Sequence, residues 1–441
     1  MRISSTMMSN NYLKQLNGTY EQYSKLMEQA DGSKLHRASD NAVGYSKYLR
    51  YQNNQISNEQ YQSNVSTASS WMKNADAALV NVTDLLQTFK AKVEQGSNST
   101  NNESDMKDIA KELLANVQEQ VADLNTQIGD RFLFAGQKDT TMPFEISSDK
   151  MSRGDTFTLD EKQSAFFSGA TSWGAENTTV KQMLKLNGDD GNNYYMNVNT
   201  GDVYTEDFVK NGYKNEDKFD PAKQRVGNIT AITNPPTAYK VSDHFDQYGV
   251  IKTDTGVGTN AKYNVTVDGK QVDLTLSYTK QYIVKYAGDD KYISMVKKNG
   301  GVDQATDTVN VTGQDINGCD LFDVGNDPHS GTARLNQLLY TVAKLDGADY
   351  KWAGEQGMTI ADSAHATVLG AQTKMAARQQ AYNSSSSMLV TQNESITSDI
   401  SDVSSTDVAQ LATKLMEYQT IYSLSLSVGS KILPGTLADY L

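Results

Sequence analysis

The stretch that decides the fold runs from Tyr61 to Val93 and reads YQSNVSTASSWMKNADAALVNVTDLLQTFKAKV. Its apolar side chains recur at alternating steps of four and three residues, at Tyr61, Val65, Ala68, Met72, Ala75, Leu79, Val82, Leu86, Phe89 and Val93. Strict alternation gives a mean period of about 3.5 residues, which is the period of a coiled coil. We therefore predict a helical rod of roughly 50 Å whose apolar seam needs a partner.

Two further stripes flank this rod in the chain. The segment from Gly96 to Asn102 breaks it, and a returning stripe follows at Met106, Ala110, Leu113, Val117, Val121, Leu124 and Ile128. Because the break is short, the two segments are predicted to form an antiparallel helical hairpin. Upstream, a shorter helix is indicated by apolar residues spaced by three and four, at Leu13, Leu16, Tyr20, Tyr23, Met27 and Ala30.

The C-terminal end repeats the helical pattern. Ser404-x-x-Asp407 predicts a capping box at the start of a helix. One apolar face follows at Leu411, Leu415, Tyr418 and Tyr422, and a second at Ile421, Leu424, Val428 and Ile432. Pro434-Gly435 should end the helix and leave Leu437 and Leu441 on a short tail. A helix that is apolar on several faces has to be buried.

The middle of the chain has a different pattern. Tyr263, Val265 and Val267 alternate with polar residues before Asp268-Gly269, and the alternation resumes from Val272, which predicts a β-hairpin. A second hairpin is predicted around Gly288-Asp289-Asp290, between 282–286 and the residues from Tyr292 onward. A helix is then predicted through Leu335, Leu338, Val342 and Leu345, followed by a loop at Gly354 and Gly357.

These patterns predict an α+β fold. The N-terminal and C-terminal segments form a long antiparallel α-helical coiled-coil bundle, and a mainly antiparallel β domain is inserted between them. We predict a terminal coiled-coil domain from residues 1–45 and 403–441. A helical bundle domain comprises 46–140 and 331–402, and the β-rich outer domain comprises 141–330.

Composition restricts the partners and the route of the protein. The formal net charge of -13 argues against nucleic acid or an anionic membrane as the main partner, and it makes monomers repel one another. The single cysteine, Cys319, excludes an intramolecular disulfide. The segment from Met1 to Met8 is not followed by the apolar stretch that a cleaved secretory signal requires, so no such signal is predicted. The sequence has no run of about 18 apolar residues, so no membrane insertion is predicted.

The sequence offers no catalytic, cofactor or metal site. The histidines are scattered, at His36, His244, His329 and His365. Gly256-Val257-Gly258 lacks the third glycine of a dinucleotide site, and the segment from Asn187 to Asn192 is predicted to be a tight turn rather than a calcium loop. Cys319 has no neighbouring activator. We therefore predict a protein that is not an enzyme and has no cofactor.

The terminal stripes predict an assembly interface instead. One alternative is an internal bundle in a monomer, and we favour it for 61–93 and 106–128. For the terminal segments we favour packing between subunits, because their apolar surface exceeds what one intramolecular seam covers. The predicted interface residues are Leu13, Leu16, Tyr20, Tyr23, Met27, Leu411, Leu415, Tyr418, Tyr422, Leu424, Val428, Ile432, Leu437 and Leu441.

Several short stretches resemble a known family. They are Met1-Arg2-Ile3-Ser4, Gly32-Ser33 to Ser39-Asp40-Asn41, Asn58 to Asn64, Ser70-Trp71-Met72, Thr83 to Leu86, Arg131 to Gly136 and Leu437 to Leu441. With these motifs the chain resembles the flagellin superfamily. Within the superfamily it is most similar to the flagellar hook-associated proteins of the hook–filament junction, the FlgL type. One departure is that Asn41 follows Ser39-Asp40, where the junction proteins often have proline, and here the chain is closer to flagellin.

The resemblance implies a terminal coiled-coil domain lining a tube, a helical domain around it and an exposed β domain. It also implies secretion through the flagellar type III export channel with an export chaperone, and an extracellular position at the hook–filament junction. The implied partners are copies of the chain itself, the first hook-associated protein and flagellin. Two alternatives stay open: a flagellin filament subunit, which would be far more abundant, and a secreted coiled-coil adhesin, whose β domain would carry a concave aromatic cluster.

Overall fold

We describe the fold from a computed structural model. It describes residues 5–39, 41–168, 180–215, 220–229, 244–252, 262–294, 308–322 and 330–432. These residues form two compact units. One unit holds the chain up to Ser66 and from Ser384 onward, and the other holds most of the chain between Thr67 and Asn383. The five predicted domain ranges stay predictions.

Helices dominate both ends of the chain. In chain order they are α1 Ser5–Glu28, α2 Ala42–Gly96, α3 Glu103–Leu124, α4 Glu161–Ser168, α5 Glu206–Lys210, α6 Pro221–Gln224, α7 Gly313–Asn317, α8 Ala333–Asp346, α9 Tyr350–Trp352, α10 Met358–Ser404 and α11 Val408–Ile432. Short 3-10 turns cover Gln29–Asp31 and Gly212–Asn215, and a π-helical turn covers Ala353–Gly357.

The strands lie in the middle of the chain. They are β1 Gln127–Ile128, β2 Arg131–Phe132, β3 Phe144–Ile146, β4 Met151–Gly154, β5 Thr156–Thr158, β6 Gln182–Gly188, β7 Asn193–Met196, β8 Asp202–Thr205, β9 Gly227–Asn228, β10 Lys262–Val267, β11 Lys270–Leu276, β12 Tyr278–Gln281 and β13 Val284–Tyr286. The main sheet has the order β10-β11-β6-β7-β8-β9, and β5 also pairs with β6. Every strand pairing in the described ranges is antiparallel.

The predicted rod and its returning partner are confirmed, except that α3 ends at Leu124 and Ile128 lies in β1. In α2 the predicted seam from Val65 to Val93 is buried. Asn116 Nδ2 of α3 donates to the Leu85 carbonyl at 3.0 Å, and Lys92 Nζ lies 2.6 Å from Glu112 Oε2. Lys92 lies later in α2 than Leu85, but its partner Glu112 lies earlier in α3 than Asn116. α2 and α3 therefore run antiparallel. α3 is therefore one of the partners that cover the apolar seam of α2, as a coiled-coil period requires.

The predicted helix at Leu335 is confirmed as α8, which is buried along most of its length. The predicted loop at Gly354 and Gly357 is wrong, because the chain there forms the π-helical turn and continues into α10. A Cβ on Gly357 would lie 3.1 Å from Val93 Cγ1 and 3.2 Å from Thr341 Cγ2. This glycine therefore permits close packing of neighbouring segments and does not interrupt the helical path.

One of the two predicted hairpins is confirmed. β10 and β11 pair from Val267↔Lys270 outward, and the turn residues Asp268 and Gly269 have φ of 49° and 77°. Positive φ at both central residues is the requirement of a type I′ turn.

The second hairpin prediction is wrong. β13 pairs with β3 from far upstream, with the register Tyr286↔Phe144 and Val284↔Ile146. The rings of Phe144 and Tyr286 lie 5.0 Å apart and are buried. Burial of this aromatic pair stabilises the long-range pairing over a local turn.

The main sheet is covered on both faces. Leu184 and Leu186 of β6 point into one apolar cluster, whereas Met183 belongs to another with Tyr195 and Tyr204. This alternation follows from the two-residue period of a strand. The predicted α+β class, with helical ends and an inserted antiparallel β region, is confirmed.

Candidate assembly interface

The terminal helices α1 and α11 pack against each other within one chain. Tyr12 Oη donates a hydrogen bond to the Ser425 carbonyl at 2.6 Å, and the rings of Tyr20 and Tyr422 lie 5.8 Å apart. As the position on α1 advances, its partner on α11 moves back towards the start of that helix. The two helices are therefore antiparallel.

The side chains between the helices form one narrow seam. On α1 the half-buried positions recur every three or four residues, at Tyr12, Leu16, Thr19, Tyr23 and Leu26. On α11 Leu411 is buried, with 6% exposure, and so is Gly429; the half-buried positions between them are Leu415, Tyr418, Tyr422 and Ser425. The predicted residues Leu16, Tyr23, Leu411, Leu415, Tyr418 and Tyr422 thus lie in this intramolecular seam.

Other predicted interface residues point outward. Leu13, Tyr20 and Met27 of α1 are exposed, at 42%, 55% and 52%. On α11 Leu424 and Val428 are exposed at 61% and 49%. The side chain of Ile432 and the residues Leu437, Leu441 and Pro434-Gly435 lie outside the described residues.

The sequence reasoning missed part of the seam. Tyr12, Thr19, Leu26, Ser425 and Gly429 were not predicted, although 12, 16, 19, 23 and 26 have the same spacing of four and three. The predicted stripe used Leu13, Tyr20 and Met27, each of which is one position after a seam residue. Tyr12 has a hydroxyl that can donate a hydrogen bond, and Gly429 has no side chain, so a ring can pack against it. These two features could have identified which residues of α1 and α11 face each other.

The chain segments that precede α2 and α11 are also joined. Lys34 N donates to the Ser404 carbonyl at 2.8 Å, and Thr406 N donates to the Gly32 carbonyl at 3.0 Å. Gly32 has a φ of 95°, a conformation that favours glycine. These bonds connect the end of α10 to the segment that follows α1.

The predicted capping box is only partly correct. Ser404 is the last residue of α10, so it does not cap the next helix. Asp407 does this itself, because its Oδ1 accepts hydrogen bonds from Ala409 N at 3.0 Å and Gln410 N at 3.1 Å. A carboxylate at the helix N-terminus also interacts favourably with the helix dipole.

The outward surface of α11 combines apolar and uncharged residues. From Ile421 to Ser430 the sequence has no charged side chain, and Ile421, Leu424, Leu426 and Val428 are all exposed. Exposed apolar residues that lie close together in this way are typical of protein interaction sites.

No group of three or more His, Cys, Asp or Glu side chains in the described ranges is placed to hold a metal ion. His36 lies 3.3 Å from Asp31, and buried His244 lies 2.8 Å from the Tyr263 hydroxyl. The predicted tight turn from Asn187 to Asn192 is confirmed as the turn between β6 and β7.

The sequence predicts that no segment is inserted in a membrane. Among the helices that the structure describes, none combines the length and the apolar character needed to traverse a bilayer.

Comparison with known proteins adds a family match. Residues 3–139 match the family model of the bacterial flagellin N-terminal helical region. A flagellin of Salmonella montevideo is 26% identical over 302 residues, which cover 59% of this chain. The match spans only 58% of that flagellin's own length.

Solved structures from flagellar proteins are also similar. Flagellar hook associated protein-3 from Legionella pneumophila aligns with a TM-score of 0.39 at 11% identity, covering 80% of this chain and 98% of that one. The flagellar junction protein FlgL from the same organism aligns with a TM-score of 0.34 at 12% identity, covering 76% and 98%.

Proposed function

Since residues 3–139 match the family model of the bacterial flagellin N-terminal helical region, we propose that the chain is a member of the flagellin superfamily and a structural protein of the bacterial flagellum. Its specific role is that of the hook-associated junction protein, which links the hook to the flagellin filament. The motifs that resemble the FlgL type support the junction role within the superfamily.

The observation that carries this proposal is the surface of the paired terminal helices. α1 and α11 already cover one seam, yet Leu13, Tyr20, Leu424 and Val428 remain exposed. Burial of one such leucine or valine stabilises a contact by ~1.5–3 kcal/mol. Several of them on the paired helices therefore favour association strongly.

The occupant of this surface is a neighbouring copy of the same chain. The net charge of -13 makes copies repel at a distance, so their contact requires a surface without charge. The segment from Ile421 to Ser430 provides it. Repetition of one such contact around an axis gives a ring or a helical assembly.

The proposal includes partners and a route. The ring contacts the first hook-associated protein on one side and flagellin on the other. The chain is secreted through the flagellar type III export channel, with an export chaperone on its C-terminal region, and it functions outside the cell. It has no enzymatic activity and no cofactor, because its role needs only contact surfaces.

The test is deletion of the gene, followed by electron microscopy of the cells and an assay of flagellin in the medium. We expect hooks without filaments and flagellin free in the medium, because subunits have nothing to attach to. Restoration of the intact gene should restore filaments. Cells that keep normal filaments after the deletion would disprove the junction role.

A filament subunit is the second candidate, and the match to Salmonella flagellins favours it. The two roles differ in amount, because a filament needs a great excess of subunits over a junction ring. Quantification of the chain against hook protein in purified flagella separates them. A large excess of this chain would replace the junction role by the filament role.

A further inference from the structure

The helix α11 carries more than one face that α1 could cover. Ile421, Leu424 and Val428 recur at steps of three and four residues, so they share one face. Ser425 and Gly429, one position further along, face α1 instead. Over these last turns, burial of apolar area favours the opposite choice, because leucine and valine remove more apolar surface from water than serine and glycine. Leu411, Leu415, Tyr418 and Tyr422 favour the observed face earlier in the helix, so a specific contact is needed to maintain this face as far as Gly429.

Tyr12 makes a contact of this kind. Its phenol donates to the Ser425 carbonyl at 2.6 Å, and its ring lies where Gly429 has no side chain. A Cβ on Gly429 would overlap the phenol oxygen and would lie 2.5 Å from Cζ and 2.9 Å from Cε1. Real Cβ atoms do not approach other atoms this closely, so the Tyr12 ring would have to leave its position if residue 429 had a side chain.

Gly429 is the single glycine of α11. Glycine is less favourable than alanine inside a helix, so a packing reason is needed for it. Rotation of α11 by one residue, roughly 100°, would place Val428 where Gly429 now meets the ring. The valine side chain would then occupy the space of the phenol. The fit between Tyr12 and Gly429 therefore disfavours this rotated arrangement.

We propose that the contact between Tyr12 and Gly429 selects which face of α11 packs on α1. It holds Ser425 and Gly429 inward and thereby keeps Ile421, Leu424 and Val428 outward for neighbouring copies. Tyr12 is a positioning residue in this role. The use of the outward face rests on the proposed function, whereas the selection itself concerns a single chain.

The experiment measures which face is accessible in the purified full-length monomer. In a Cys319→Ser background, one reporter thiol is introduced by Leu424→Cys, and in a second protein by Ser425→Cys. The rate of labelling by a maleimide reagent is compared with and without Gly429→Ala. We expect Gly429→Ala to slow labelling at position 424 roughly tenfold and to accelerate it at position 425.

A matched control is available in α1. A Cβ on Gly18 meets nothing within 4 Å, so Gly18→Ala gives the same change of residue type in a helix without a clash. It should leave both labelling rates unchanged. Tyr12→Phe removes the hydrogen bond but keeps the ring, and it should give a smaller change in the same direction as Gly429→Ala.

The outcomes decide the proposal without reference to assembly. Opposite changes at the two positions support face selection. Unchanged rates with Gly429→Ala overturn it, and so does faster labelling at both positions, which would mean that the helices separate. If face selection holds but a strain with Gly429→Ala still builds normal filaments, the outward face is not the assembly surface. In that case this face is removed from the proposed assembly interface, the junction role is decided by the gene deletion, and the face selection stands.

Discussion

Arg153 and Asp320 form an ion pair that is completely enclosed by protein, with 2.6 Å between Nη2 and Oδ2. Arg153 Nε also donates to the Tyr248 carbonyl at 3.0 Å, and the guanidinium lies 5.1 Å from the centre of the Phe322 ring. These contacts replace part of the water that the two charges lose on burial, whereas Arg153 Nη1 and Asp320 Oδ1 have no hydrogen-bond partner among the described residues.

The pair lies in the unit that holds most of the chain between Thr67 and Asn383, which we call the larger unit. Removal of one partner of this pair should destabilise the larger unit strongly. We expect Asp320→Asn to lower the free energy of unfolding by about 3–5 kcal/mol, because it leaves the buried guanidinium without its counter-charge. Denaturant unfolding followed by tyrosine fluorescence measures this. Glu103→Gln is the control, since its pair with Lys107 is fully exposed and should give no measurable change. Equal effects of the two substitutions would contradict the role assigned to the buried pair.

Two glycines with similar backbone conformation should respond differently to alanine. Gly249 and Gly191 have φ of 78° and 84°, so alanine at either position would have the strain of a left-handed residue, about 1 kcal/mol or slightly more. A Cβ on Gly249 would also overlap the Phe322 ring and lie 3.1 Å from Arg153 Nε, whereas Gly191 faces open space.

We therefore expect Gly249→Ala to destabilise by about 3 kcal/mol or more and Gly191→Ala by about 1 kcal/mol. Thermal or denaturant unfolding of the two variants gives the comparison. If Gly191→Ala proves as damaging as Gly249→Ala, backbone strain and not the overlap with Phe322 determines the effect.

The buried tyrosines should make the larger unit sensitive to alkali. Burial raises the pKa of Tyr204 and Tyr195 far above that of a free phenol, and the neighbouring carboxylates Asp202 and Glu206 add to this. Because the folded-state pKa is raised, the folded state holds the neutral phenol while the unfolded chain ionises above about pH 10. This stabilisation is complete below about pH 10, and it decreases as the pH rises from there through the raised pKa of the folded state.

We expect unfolding and tyrosinate formation to occur together in an alkaline titration. Ultraviolet absorbance of tyrosinate and circular dichroism should follow the same curve. Tyr204→Phe should move the transition to higher pH, because one fewer phenol drives unfolding. Ionisation of all tyrosines with the circular dichroism unchanged would contradict burial as the cause.

Charge on the outward face of α11 should abolish attachment of the filament. Leu424→Asp combined with Val428→Asp replaces two exposed apolar side chains, at 61% and 49% exposure, by charges that a neighbouring copy would have to bury. The larger unit should stay folded, and flagellin should appear in the medium. Electron microscopy of the cells and an assay of the medium measure this.

The matched control places the same charges on another face of the same helix. Ser423 and Ser427 are exposed and have no apolar surface to lose, so Ser423→Asp with Ser427→Asp should leave filaments in place. Loss of filaments in both double variants would show that charge anywhere on α11 is harmful. Normal filaments with the aspartates at 424 and 428 would remove this face from the interface.

The sequence by itself determined the elements whose pattern is local. The rod from Val65 to Val93 and its antiparallel partner could be predicted because every position in a heptad pattern reports the same period. The hairpin at Asp268-Gly269 could be predicted because two positive φ values demand particular residues. The helix through Leu335 and the pairing of the two ends of the chain could also be predicted from local patterns.

Only the tertiary structure decided the choices between equivalent local patterns. β13 pairs with β3 instead of its neighbour, because burial of Phe144 against Tyr286 outweighs a nearby turn. On α11 the spacing of apolar residues permits several inward faces, so spacing could not say that Leu424 points outward while Ser425 lies against α1. Periodicity predicts that a helix exists. The rotation of the helix about its axis depends on how side chains fit together in the seam, and these side chains come from residues more than four hundred positions apart.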